Sequence, residues 1–217
     1  MKKAGLALAA ALFAPAAAHA QDPQLWSTIQ LNVAAGDGWH ASGDLSGRTV
    51  AHERAPQVLG RIQIGRDLSK RVTVWAGYVR AENLNVDRRN GLEQRATGQI
   101  DWAAGRIGPL SITARTRVEA RVFRGEDQMS WRIREQVRLL LPISERARLF
   151  TDAEPFVALN RTDRAPRTFE QLRLRAGMLV ALTPRTELDI AYNHQILYRA
   201  GEQLVNHVFP VTMRVNL

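Results

Sequence analysis

From Phe209 to Leu217 every odd-numbered residue is apolar, while Thr212, Arg214 and Asn216 stand between them. A period of two sends successive side chains to opposite faces of an extended strand, so this tail has one greasy face and one wet face. In a soluble protein the greasy face would pack on a core. Here the same grammar recurs along almost the whole chain, behind an N-terminal export signal. That combination predicts an all-β, up-and-down antiparallel transmembrane β-barrel whose greasy face meets lipid.

The signal is read from residues 1–20. Met1-Lys2-Lys3 is cationic, residues 4–13 are apolar, and Ala18-His19-Ala20 supplies small residues where a signal peptidase cuts, before Gln21. The apolar stretch is too short to span a bilayer, and no cysteine follows it to carry a lipoprotein anchor. The expectation is a signal peptide over 1–20 and one barrel domain over 21–217. Its place would be the outer membrane of a Gram-negative bacterium, reached through the periplasm. The absence of cysteine removes disulfides and thiolate chemistry. A closed barrel can do without disulfides because every strand is paired.

Eleven segments alternate. Leu25, Ile29, Leu31 and Val33 oppose Trp26, Thr28, Gln30 and Asn32. Residues 39–50 alternate more weakly, with His40, Ser42, Asp44, Ser46 and Arg48 on the polar side. Further segments fall at 58–64, 72–78 and 93–102. The clearest is 110–123, where Ile112, Ala114, Val118, Ala120 and Val122 oppose Arg115, Arg117, Glu119 and Arg121. Then Trp131, Ile133, Val137 and Leu139 oppose Arg132, Arg134, Gln136 and Arg138. Leu149, Ala153 and Val157 oppose Asp152 and Glu154; Leu172, Leu174 and Ala176 oppose Arg173 and Arg175. Residues 187–198 and the terminal tail complete the set. Glu135 falls on the apolar side, which places it near an interface, at a bulge, or in a misread register. Bacterial single-chain barrels have even strand numbers. The count of eleven is therefore expected to resolve to twelve, if 39–50 hides two strands, or to ten, if one N-terminal segment does not span.

The connections alternate as well. Short turn-like stretches at 65–71, 103–109, 142–146 and 183–186 are assigned to the periplasmic side, with both termini. The stretches 82–91, 125–128, 160–168 and 200–206 are assigned to the outside.

Without Lys2 and Lys3 the chain has 28 basic and 21 acidic residues, a net of +7, and Lys70 is then its only lysine. So basic a chain invites a nucleic-acid reading. The arginines, however, are spread at every second position instead of gathered in a tract, and few aromatics accompany them, so no nucleic-acid partner is expected. The alternating positions suit a polar barrel interior, where the planar guanidinium satisfies several acceptors at once. The expected interior network comprises Arg115, Arg117, Glu119, Arg121, Arg132, Arg134, Arg138, Asp152, Glu154, Arg173 and Arg175. Paired charges could plug the lumen; surplus arginine around water would favour anions.

Several stretches are similar to the DUF2490 family of bacterial outer-membrane proteins. They are Gln24-Leu25-Trp26, Val74-Trp75-Ala76-Gly77-Tyr78, Glu93-Gln94-Arg95, Arg117 through Phe123, Trp131-Arg132-Ile133-Arg134 and Asp152 through Phe156. The resemblance covers essentially the whole mature region and implies an outer-membrane barrel without implying an activity. The chain ends in Leu217 where such barrels often end in Phe.

The function expected from these features is non-enzymatic: a structural barrel or a small anion-preferring conduit. Its partners would be outer-membrane lipid, lipopolysaccharide and the outer-membrane assembly machinery. The alternative is a barrel hydrolase acting on lipid or lipopolysaccharide, which needs a serine within hydrogen-bond reach of a histidine beside lipid. His194, between Tyr192 and Ile196, is the candidate base, but no G-x-S-x-G elbow accompanies it. His40, His52, His194 and His207 lack ligand spacing, so neither a metal nor another cofactor is expected.

Overall fold

Alternation needs a surface on each side, and the chain supplies both by closing on itself. The computed structural model describes residues 20–49, 56–84, 91–163, 168–199 and 202–217. The signal-peptide assignment, apart from Ala20, lies outside them, as do parts of the connections assigned to the outside. Eleven strands follow one another: β1 (Ala20–Gly36), β2 (Trp39–Arg48), β3 (Gln57–Ser69), β4 (Val72–Asn83), β5 (Leu92–Ile107) and β6 (Leu110–Phe123). The second half comprises β7 (Ser130–Pro142), β8 (Ala147–Ala158), β9 (Phe169–Thr183), β10 (Thr186–Arg199) and β11 (Glu202–Asn216). Each pairs with its sequence neighbours, and β1 meets β11 to close the barrel.

The expectation of an even strand number fails in both forms. Trp39–Arg48 is one strand, and β1 is paired on both sides. An odd run of antiparallel neighbours leaves the first and last strands pointing the same way. The seam is therefore parallel, running from Leu25 beside Phe209 to Asn32 beside Asn216. The start of β1 and the end of β11 thus lie at opposite ends of the barrel, which also overturns the reading of both termini on one side.

At one end the connections are short: 37–38, 70–71, 108–109, 143–146 and 184–185. At the other they span 49–56, 84–91, 124–129, 159–168 and 200–201. Several stretches expected to be connections are strand instead. Gly65 and Asp67 remain paired with Trp75 and Thr73, β5 continues to Ile107, and β11 begins at Glu202. Ladder pairing there overrides the turn-rich composition. One tight hairpin turns at Asp37 and Gly38, whose φ values of 49° and 72° suit the two-residue turn that matches strand twist.

The distribution of polarity is inverted relative to a soluble domain. Ile62 is 66% exposed and Ile29 53%, whereas Glu119 and Asn193 are 1% exposed. Large apolar side chains scattered singly on a surface are ordinary; a whole sheet face of them is not. The outer face carries the apolar set and the inner face the charges. Strands of 10 to 17 residues meet or exceed the roughly 9–11 that a tilted strand needs to cross a bilayer.

Glu135 does point outward. It stands directly across from Thr116, whose hydroxyl donates to its carboxylate at 2.5 Å. The register is therefore sound, and the acid is held by a neighbour on the same outer face. Within the lumen, Trp75 lies over Gly65 on the adjacent strand. A Cβ at position 65 would fall 2.5 Å from that ring. Apolar packing inside is confined to small groups such as Phe150, Leu179 and Ala191, with Leu140 against them.

Candidate functional site: an arginine-lined lumen

Because one residue in two on every strand faces inward, the barrel wall turns a linear pattern into a lining. It encloses a cavity of about 920 Å³, bordered by Asn83 and Gln195 toward the end with the longer connections and by Asn32 and Arg214 toward the other. Among the described residues twelve arginines border it against four acids, Asp44, Asp101, Glu119 and Asp189. The lining is lopsided. β6, β7 and β9 contribute most of the arginines, while β1 to β3 face them with Gln24, Thr28, Gln30, Asn32, Ser46, Gln57 and Gln63.

The charged wall is organised in rows. Arg138, Asp152 and Arg175 stand side by side on β7, β8 and β9. Arg138 Nη2 lies 2.8 Å from Asp152 Oδ2, and Arg175 Nε lies 2.9 Å from Asp152 Oδ1. Glu154 stands beside Arg173, 3.8 Å from its Nη1, and accepts from Arg134 Nη2 at 2.6 Å. Arg134 also donates to Glu119 at 2.9 Å, and Glu119 in turn holds Arg132, whose Nε is 2.8 Å away. On the next strands Arg121 and Arg95 share Glu93, at 2.6 Å and 2.8 Å, and Arg115 reaches Asp101 at 2.8 Å. Arg117 donates to Gln99 at 2.7 Å. It has no carboxylate within 4 Å among the described residues.

This ordering answers an electrostatic problem. Arg117 sits directly across from Arg134, and Arg95 from Arg121. Like charges in opposed positions destabilise a sheet, and buried charge costs several kcal/mol unless it is paired and hydrogen-bonded. Glu93, Glu119, Asp152 and Glu154 are each therefore shared between two guanidiniums. Aromatic faces share the load: Arg134 and Arg173 lie 4.3 and 4.6 Å from the centre of the Phe156 ring, and Arg138 lies 4.3 Å from that of Phe150.

All eleven residues assigned to the network from sequence lie on inward positions of β6 to β9. The structure adds a second group that sequence reasoning left out. Arg61 is held by Asp44 at 2.5 Å, Arg214 lies between Glu187 at 2.9 Å and Asp189 at 2.6 Å, and Arg48 lies over Trp26. The signal was the same alternation, on strands whose polar faces are less densely charged.

His194 is on the outer face, opposite Leu174 on β9 and His207 on β11, so neither cross-strand position supplies a serine. Its ring lies 5.7 Å from that of His207, which shares a 2.6 Å hydrogen bond with the Tyr192 hydroxyl. Among the described residues no group of three or more His, Cys, Asp or Glu is placed to hold a metal.

Known proteins share this architecture. A solved structure of the NanC porin superimposes with a TM-score of 0.53, at 15% identity, over 82% of this chain and 81% of that one. LpxR from Salmonella typhimurium superimposes with a TM-score of 0.50, at 9% identity, over 81% and 83%. At such identities the likeness is one of fold. In sequence, an uncharacterized protein of Methylorubrum extorquens is 25% identical over 179 residues, 81% of this chain and 78% of the relative. The model of the family described as protein of unknown function, DUF2490, matches residues 23–206, so the chain belongs to the DUF2490 family.

Proposed function

We propose that this chain is an outer-membrane barrel, exported through the periplasm, that passes small anionic solutes through its arginine-lined lumen. The observation that carries the reading is the surplus of arginine over acid along a cavity reaching toward both ends of the barrel. Rings of arginine favour negative permeants because the field in a narrow aqueous path is set by the lining charge. The apolar outer face supports a lipid surrounding, with lipopolysaccharide and the outer-membrane assembly machinery as partners. The fold shared with a porin agrees with this reading.

Reconstitution in planar bilayers under a salt gradient tests it. The expected result is a steady current with a reversal potential on the anion side. Cation bias would overturn the reading, and absence of current would make the barrel a structural one whose charge network plugs it.

A further inference from the structure

Most of the lumen's arginines are matched to a nearby carboxylate; of the others, Arg117 is held by the Gln99 amide, while Arg48 and Arg173 converge. Arg48 on β2 and Arg173 on β9 come from strands that are not neighbours, yet both guanidiniums lie on one indole. The Arg48 carbon Cζ is 4.2 Å from the centre of the Trp26 ring, and that of Arg173 is 5.0 Å from it. Arg48 donates from Nη1 to Gln57 at 3.0 Å, while its Nε is buried with no hydrogen-bond partner. Arg173 has one carboxylate, Glu154, at 3.8 Å, and that group is already committed to Arg134 at 2.6 Å. Its other acceptor is the amide of Gln171, whose oxygen faces Nε at 2.5 Å once the amide is turned to satisfy both its atoms. Among the described residues only one carboxylate, already bound to Arg134, lies within 4 Å of either of these two partly buried guanidiniums.

We infer that Arg48 and Arg173, beside Trp26, form an oxyanion-binding site that takes one carboxylate or phosphate group of a solute in the lumen. Guanidinium suits oxyanions because its forked donors meet two oxygens at once, which a spherical halide cannot exploit. The Trp26 ring packs against both forks, and its Nε1 donates to Gln24 at 3.2 Å, which fixes the ring. An oxyanion here would supply the missing acceptor to Arg48 Nε and the missing counter-charge to Arg173. This inference deepens the anion-conduit reading by naming the chemical class that is recognised.

The test uses the purified full-length barrel in detergent, titrated with sodium phosphate and, separately, with sodium acetate. Ionic strength is held constant with chloride, and the signal is the tryptophan fluorescence lost in Trp26→Phe. The expected result is a saturable change with at least one of the two oxyanions. Half-saturation should rise roughly tenfold or more in Arg48→Gln and in Arg173→Gln, the loss of a charge-assisted hydrogen bond. Arg48→Lys and Arg173→Lys should recover part of it. Response to phosphate alone or to acetate alone supports the site and names the group. No saturable change beyond that given by chloride in wild type overturns it, and so does wild-type half-saturation in both Gln variants. Saturable binding without bilayer current leaves the site standing and removes the conduit. Anion-biased current without saturable binding does the reverse.

Discussion

Glu154 on β8 bridges two strands: Arg134 on β7 donates to it at 2.6 Å, and Arg173 on β9 faces it at 3.8 Å. The carboxylate is 5% exposed, so little water is at hand to replace it. Glu154→Ala leaves two buried guanidiniums facing each other. Breaking one member of such a group costs about 3–5 kcal/mol. The variant should insert but lose its heat-modifiable form on gels at a lower temperature than wild type. An unchanged transition would remove Glu154 from the network.

Met213 and Val215 occupy outward positions on β11, the strand that closes the barrel. Replacing either by Asp puts a charge on the lipid face, at a cost approaching about 2 kcal/mol near mid-bilayer. Outer-membrane levels of both variants should fall sharply when measured by fractionation. Normal levels would contradict a lipid-facing odd register.

Thr116 is the neighbour that makes Glu135 tolerable on the outer face. Thr116→Val keeps the shape and removes the donor, which leaves an acid unsatisfied at a cost of about 1–3 kcal/mol. The double variant Thr116→Val with Glu135→Gln should recover part of that loss. Thermal melts of the four proteins in a double-mutant cycle measure the coupling; additive effects would show that the hydrogen bond contributes nothing.

The connections of six or more residues all lie at one end of the barrel, beside the two-residue link at 200–201, and those of two to four residues lie at the other. The expectation that the longer ones face outward is tested with epitope tags inserted within 84–91 and 159–168. Tags there should bind antibody on intact cells. A tag at 143–146 should bind only after the outer membrane is permeabilised, and the opposite pattern would invert the barrel.

The strands were legible because each separates two surroundings, and the separation imposes a period of two that composition alone cannot mimic. The strand β2 read weakly for a visible reason: Gly43 and Gly47 occupy outward positions and blunt the contrast with Ser42, Asp44 and Ser46. The alternation places Arg48 on the polar side of that segment but does not join it to the interior network. Strand parity was not legible, since nothing in Leu25, Ile29 and Leu31 says whether their row will meet the last strand in parallel. Inward facing of the arginines followed from alternation, but their partners did not. Whether Glu119 meets Arg132, thirteen residues on, depends on the length of the intervening connection. The meeting of Arg48 and Arg173 at Trp26 depends on closure of the whole barrel.

The parallel seam also decides how this chain could be rewired. Each hairpin of the barrel is joined at one rim or the other, so each could serve as a new opening point for a circular permutant. Closing the old one is the difficulty, because Ala20 and Asn216 stand at opposite rims. In an even-stranded barrel a few residues would join them. Here the joining segment must travel the full height of the wall, as any link between parallel strands must, and that takes a dozen residues or more. It has two routes, down the lumen past the arginines or along the lipid face with its backbone unpaired. Neither is free of cost, so this topology ties the chain's two ends to their present places more firmly than any one contact does.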